Sequence, residues 1–243
     1  MAEGWGIMSI SRGAILLLAV VSAVAAFVGC SCTLKLAPTE AELQEVSRSR
    51  IPHDPARDIP EVALVVGSGP CDVTTAKGMS VVGGADEGQG QVPFPLRAQG
   101  TPSRLIGDAM LSAPDNGVAR FVRPTTPSPV AVEMVATSFF LHFEKGMWGP
   151  VTTEGQVAMK VSVMSAKAHQ RSVVFSRVYK SDIPAGIQLP SLSSPPLGIL
   201  DDFRSASSAL IRKAMVDAIR QLLSDPEFTD ALRTARQAAP MQQ

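Results

Sequence analysis

The chain has 243 residues, with 22 basic and 22 acidic side chains and a formal net charge of +0. A neutral balance gives no long-range field to draw nucleic acid or an anionic surface, and one Tyr with two Trp leaves few platforms for stacking bases or sugars. Three cysteines are too few for a disulfide framework.

Ala14 to Val28 is an apolar run of 15 residues. A spanning helix needs about 20 apolar residues and a secretory leader about 7–15, so the run reads as a cleaved signal. Arg12 is the basic residue ahead of it and Glu3 offsets that charge. A start at Met8 gives MSISRGAILLL, a more ordinary leader than a start at Met1. The run ends in Phe27-Val28-Gly29-Cys30, an apolar pair, a small residue and a cysteine. This resembles the lipobox of bacterial lipoproteins, with Phe27 where Leu is usual. The small Gly29 lets a peptidase approach the bond before Cys30, and the resemblance makes Cys30 the lipid carrier. By the same resemblance, Ser31 in place of Asp permits transfer to the outer membrane. The expected location is its periplasmic face, with the inner membrane as the alternative and the membrane itself as a partner through the lipid. The alternatives are a secretory signal with an incidental cysteine, or an uncleaved anchor.

Residues 30–60 read as anchor and flexible tether, a polar stretch with prolines at 38, 52, 55 and 60. Thr39 and Glu42 have capping-box spacing, so a short helix is expected over Thr39–Val46. His53 reads as a solvated loop residue. Cys30 and Cys32 lack the further ligands a zinc site needs, and Cys71 either pairs with Cys32 or stays free.

A single domain is expected over 61–235, with a frayed tail at 236–243. EVALVVG at Glu61–Gly67 is a continuous apolar, β-branched run and reads as a buried strand. The glycines of 67–90 fit no phosphate-binding spacing and read as turns and a loop, with brief strands at Val81-Val82 and Val92–Leu96. Thr101 followed by Pro102 opens a helix to Ser112, with Leu105, Ile106, Ala109 and Met110 on one face and Gly107 weakening it. Val118–Val122 is a short apolar stretch.

Val130–Glu144, Thr152–Lys167 and Ser172–Ser181 read as three strands joined by turns at 146–150 and 168–171, an antiparallel meander. In the middle strand Val157, Met159, Val161 and Val163 alternate with Ala158, Lys160, Ser162 and Met164, so one face is buried. His142 and His169 lack the neighbours of a metal site. Trp148 reads as a lid over the sheet end or as a contact for membrane or partner. After a proline-rich crossing, Asp201 or Asp202 is expected to cap a helix to about Ser224. Its apolar arc is Ile211, Ala214, Met215, Ala218, Ile219 and Leu222; Arg212, Lys213, Asp217 and Arg220 hold the polar face. Asp225-Pro226 caps a second, shorter helix.

The fold class is therefore α+β: an antiparallel meander packed by an N-terminal-side helix and a long C-terminal amphipathic helix. With FRSASSALIRKAMVDAIRQLLSDPEFTDAL after the meander, the order of elements over Glu61–Leu232 resembles the YajG family of bacterial lipoproteins. That resemblance implies a periplasm-facing outer-membrane lipoprotein and transfers no catalytic residue. The expected role is non-enzymatic, binding an envelope protein or supporting an envelope complex, with no cofactor, metal or nucleic acid. One alternative is an auxiliary lipoprotein of lipid or polysaccharide transport, holding an apolar ligand between helix and sheet. The other is a hydrolase. The sequence Gly67–Cys71 fails the nucleophile-elbow pattern, and Cys71 has no activating base nearby in sequence.

Overall fold

The computed structural model describes residues 32–47, 61–86, 94–113, 118–124, 130–145, 151–167, 170–184 and 196–238. In chain order the elements are β1 (Cys32–Leu34), α1 (Glu40–Ser47), β2 (Glu61–Val66), β3 (Met79–Asp86), β4 (Phe94–Gln99), α2 (Pro102–Ser112), β5 (Arg120–Val122), β6 (Val130–Lys145), β7 (Val151–Lys167), β8 (Gln170–Ile183), α3 (Pro196–Leu223) and α4 (Pro226–Ala238).

The period-2 pattern of the middle strand sets the core. Val157, Met159, Val161 and Val163 are each 0% exposed, while Lys160 points to solvent. β7 pairs antiparallel with β6 on one edge and β8 on the other, which is the expected meander. A bulge interrupts β6 between Ala136 and Ser138, and another interrupts β8 opposite Val163 and Met164.

β6 is shared by two further groups of strands, making the eight-stranded sheet mixed rather than wholly antiparallel. Its first half pairs parallel with β2, through Ala63↔Ala131 to Val66↔Met134. Its second half pairs parallel with β3, through Gly83↔Leu141 to Asp86↔Glu144. β5 extends the sheet beyond β2, and β4 and β1 extend it beyond β3.

The helices cover one face. Gly107 of α2 sits over Val66 and Met134. Ser165 of β7 donates from its hydroxyl to the Ala235 carbonyl of α4, at 3.1 Å, and Phe175 of β8 meets Phe228. The predicted arc of α3 is buried throughout. On the opposite face Phe140 and Val178 are exposed.

Four expectations change. Residues 32–47 do not behave as a flexible tether: Leu34, Leu36 and Val46 are buried in the core, β1 is paired and α1 packs on α3. The brief strand expected at Val81-Val82 extends over residues 79–86 and takes in glycines read as turns and loop. Gly83 sits at a bulge with φ 146°, and a Cβ there would lie 1.8 Å from the Leu141 carbonyl oxygen. Only glycine lets the two backbones approach so closely. Helix α3 starts at Pro196, placing Asp201 and Asp202 inside it rather than at its cap. Helix α4 likewise runs to Ala238, into the expected tail.

Candidate functional site

Gly29 and Cys30, the expected cleavage and lipid-attachment residues, lie outside the described residues, as do His53, Trp148 and His169. What the structure does show is where the chain enters the fold after them. β1 begins at Cys32, whose backbone pairs parallel with Leu96 of β4.

From there the chain is clasped to α3. The Lys35 N–H donates to Ser208 Oγ at 3.2 Å. The capping box of α1 forms as its spacing predicts: the Thr39 N–H donates to Glu42 Oε2 at 2.6 Å, and the Glu42 N–H donates to Thr39 Oγ1 at 3.3 Å. Arg212 of α3 donates from Nε to Glu42 Oε2 at 3.1 Å and from Nη1 to the Lys35 carbonyl at 3.0 Å. Burial opposes the charge on Glu42. Hydrogen bonds from Thr39 and Arg212 outweigh it and hold the carboxyl below the ordinary glutamate value. Arg212, expected on the polar face of the helix, thus fastens α1, as does Arg220 through Glu45 at 3.3 Å. The partner of Arg212, Glu42, lies 170 positions away, beyond the reach of local pattern.

A second polar node joins β8 to α4. Asp225 caps α4, its Oδ1 accepting the Glu227 N–H at 2.9 Å. Its Oδ2 accepts from Tyr179 Oη at 2.5 Å and from Arg177 Nη1 at 2.7 Å. Arg177 also reaches Glu227 at 2.9 Å. Burial pushes the Asp225 carboxyl up, but the hydrogen bonds from Tyr179, Arg177 and the helix N–H more than offset it, and the group stays below its ordinary value. Burial and this anion together push the Tyr179 phenol up, so it remains a donor.

The third node stands where the sheet divides. Asp72 accepts the Gly69 N–H at 2.6 Å and the Ser103 N–H at 2.8 Å. Ser103 Oγ accepts the Ala136 N–H at 2.8 Å, beside the β6 bulge. Cys71 donates from Sγ to the Ala136 carbonyl at 3.1 Å and is a free thiol. Burial, then the neighbouring Asp72 charge, pushes that thiol up to about 11. A nucleophilic cysteine needs the opposite environment, so Cys71 is a donor bracing the bulge. His142, half-buried on β6, pairs in register with Glu154 of β7. Among the described residues no group of three His, Cys, Asp or Glu side chains could hold a metal ion.

Between helix and sheet, where an apolar ligand was one expectation, the described interface is filled by the protein's own side chains. Ile211, Met215, Ile219 and Leu222 are each 0% exposed, as are Val161 and Val163 beneath the helices. No helix among the described residues is long and apolar enough to cross a membrane.

No protein-family model matches the sequence, and no curated protein does. Among solved structures the chain is similar to protein XCC0632 from Xanthomonas campestris, described as a DUF330 protein. The identity is 15% and the TM-score 0.43, over 77% of this chain and 93% of that one. It is also similar to a crystal structure described as an uncharacterized protein, at 9% identity and a TM-score of 0.36, over 86% of this chain and 99% of the other. Likenesses this distant assign no residue a role.

Proposed function

We propose that the chain is a lipid-anchored bacterial envelope lipoprotein. Cys30 holds it at the periplasmic face of the outer membrane, where it binds a protein partner or supports an envelope complex without catalysing a reaction. The observation that carries this reading is the junction at residues 29–32: an apolar run of leader length, a small residue, a cysteine, and two residues later the first strand of the domain. The resemblance to YajG-type lipoproteins supports the same location. The described polar groups support a non-catalytic role, since Cys71, Tyr179 and Asp225 are engaged in holding elements together.

The test is metabolic labelling with a radioactive fatty acid in cells making the full chain. The native protein is expected to take up label and Cys30→Ala to lose it; label persisting in Cys30→Ala would sink the assignment. Fractionation of the labelled protein to the outer membrane is the expected location result. Crosslinking in whole cells, with identification of the attached species, separates the roles: a defined protein supports partner binding, and a co-purifying lipid favours the transport alternative.

A further inference from the structure

Cys32 belongs to a continuous register row that crosses six strands. It pairs with Leu96 of β4, Leu96 with Gly83 of β3, Gly83 with Leu141 of β6, Leu141 with Gly155 of β7, and Gly155 with Ile183 of β8. The row runs near one end of the sheet, with β3, β6 and β7 continuing three to four residues past it. β1 and β4 begin near it, β7 begins and β3, β6 and β8 end within a few residues of it. Residue 30 is two positions before Cys32, and two residues of fully extended chain reach at most about 7 Å. Whatever is attached to Cys30 is therefore held close to this row, with no slack to let the domain stand away from it.

The flank of β1 is not free to lie against a surface. Helix α3 packs there, with Ser208 accepting from the Lys35 N–H. The strand ends along the row are the side nearest the anchor, since Cys32 opens β1 there. Strand twist accumulates across six strands, so β1 and β8 lean in opposite senses and the central β3 and β6 stand most nearly upright on the row.

Resting on the lipoprotein reading above, we infer that the end of the sheet nearest the row of Cys32, Leu96, Gly83, Leu141, Gly155 and Ile183 faces the bilayer surface. The β2–β5 corner, level with the Lys167–Gln170 end of the β7–β8 pair, is then held at the far end of the sheet, away from the bilayer. Along β6 and β2, Glu61 lies about 35 Å from the row at ~3.4 Å per residue. Glu61 and its ion-pair partner Arg120 are both exposed, at 3.3 Å from each other. Glu154 is exposed one residue from the row on β7.

The experiment uses full-length, acylated protein in vesicles of phosphatidylethanolamine and phosphatidylglycerol containing a lipid with a nitroxide on its headgroup. A fluorescent unnatural amino acid replaces Glu154 in one sample and Glu61 in another. Quenching several-fold stronger at 154 than at 61 is expected. Inserting about ten Gly/Ser residues between Ser31 and Cys32, a flexible spacer, is expected to flatten the difference while acylation is retained. Equal quenching at the two positions, or stronger quenching at 61, in protein shown to be acylated overturns the orientation and leaves the anchor standing. Failure of Cys30 to take up fatty acid overturns the anchor, and the orientation with it.

Discussion

Tyr179 on the edge strand donates to the same Asp225 carboxylate that caps the last helix, at 2.5 Å. One side chain therefore fixes both the start of α4 and its seat on β8. Asp225→Ala removes the cap and strands a buried phenol, so a loss of about 2–4 kcal/mol is expected in urea unfolding. Tyr179→Phe keeps the cap and is expected to cost about 1 kcal/mol. Equal losses in the two variants would contradict the double role.

The same carboxylate gives a pH dependence. Its folded-state pKa lies below the ordinary value, so in acid the unfolded chain binds more protons than the folded one and stability rises with pH. The contribution is complete above the unfolded pKa of about 3.9 and is lost as pH falls through the folded value. Urea midpoints measured from pH 6 downward should therefore fall in acid, and fall less steeply in Asp225→Asn. Glu42 behaves in the same sense. An acid limb unchanged by both Asp225→Asn and Glu42→Gln would show that other groups set it.

The meander and both C-terminal helices were legible because their signals are local. Alternating Val157 to Val163 fixes the buried face of β7, the 3.6-residue spacing of Ile211 to Leu222 fixes the face of α3, and Asp225-Pro226 fixes the start of α4. What was hidden depends on partners far along the chain. Three residues, Cys32–Leu34, make a strand because Leu96–Ala98 supply an edge for them, and their polar, proline-bearing surroundings carry no trace of it. Gly83 looks like loop composition until Leu141 is placed against it. Of the candidate site, Gly29-Cys30 is an expectation from the leader pattern, and both residues lie outside the described ones. The absence of slack after it was not legible, since it follows from the pairing of β1.

Glu42 does two jobs that substitution separates. Glu42→Gln can still accept within the capping box but loses the charge that meets Arg212. Glu42→Ala loses both. Hydrogen exchange across residues 34–46 is expected to quicken modestly in Glu42→Gln and more in Glu42→Ala. Stability losses of about 0.5 and 1 kcal/mol are expected, the ion pair being partly exposed. Arg212→Ala should loosen the same segment, because the Lys35 carbonyl loses its donor as well. Exchange in this segment indifferent to all three changes would mean that its apolar contacts alone hold it.

Two glycines are required for different reasons, and a second mutation distinguishes them. At Gly107 a Cβ would lie 2.5 Å from Val66 Cγ2, a side-chain atom. The intrinsic helix gain of about 1 kcal/mol from Gly107→Ala is outweighed by the clash, for a net loss of about 1–2 kcal/mol. Adding Val66→Ala removes the obstructing methyl groups and should recover most of it. At Gly83 the obstruction is the Leu141 backbone and φ is 146°, so Gly83→Ala is expected to cost about 3 kcal/mol or more. Leu141→Ala should not rescue it. Thermal melts of the four variants decide the matter, and rescue at Gly83 would contradict the backbone origin.

Cys71 should react slowly. Its pKa of about 11 leaves a thiolate fraction at pH 8 on the order of 10²-fold below that of an unperturbed thiol with pKa ~8.5. Alkylation by iodoacetamide, followed by mass spectrometry of the peptide containing Cys71, is expected to be slower in the folded protein than in urea by at least that factor. Cys71→Ser keeps a donor for the Ala136 carbonyl and should leave stability within about 1 kcal/mol. Asp72→Ala should act more strongly, because Asp72 holds the Gly69 and Ser103 N–H groups. Its loss removes the anion that helps raise the thiol and loosens the loop carrying it, and both effects speed alkylation. A native rate equal to the unfolded one would mean that Cys71 is an open thiol of ordinary acidity, without the burial that braces it.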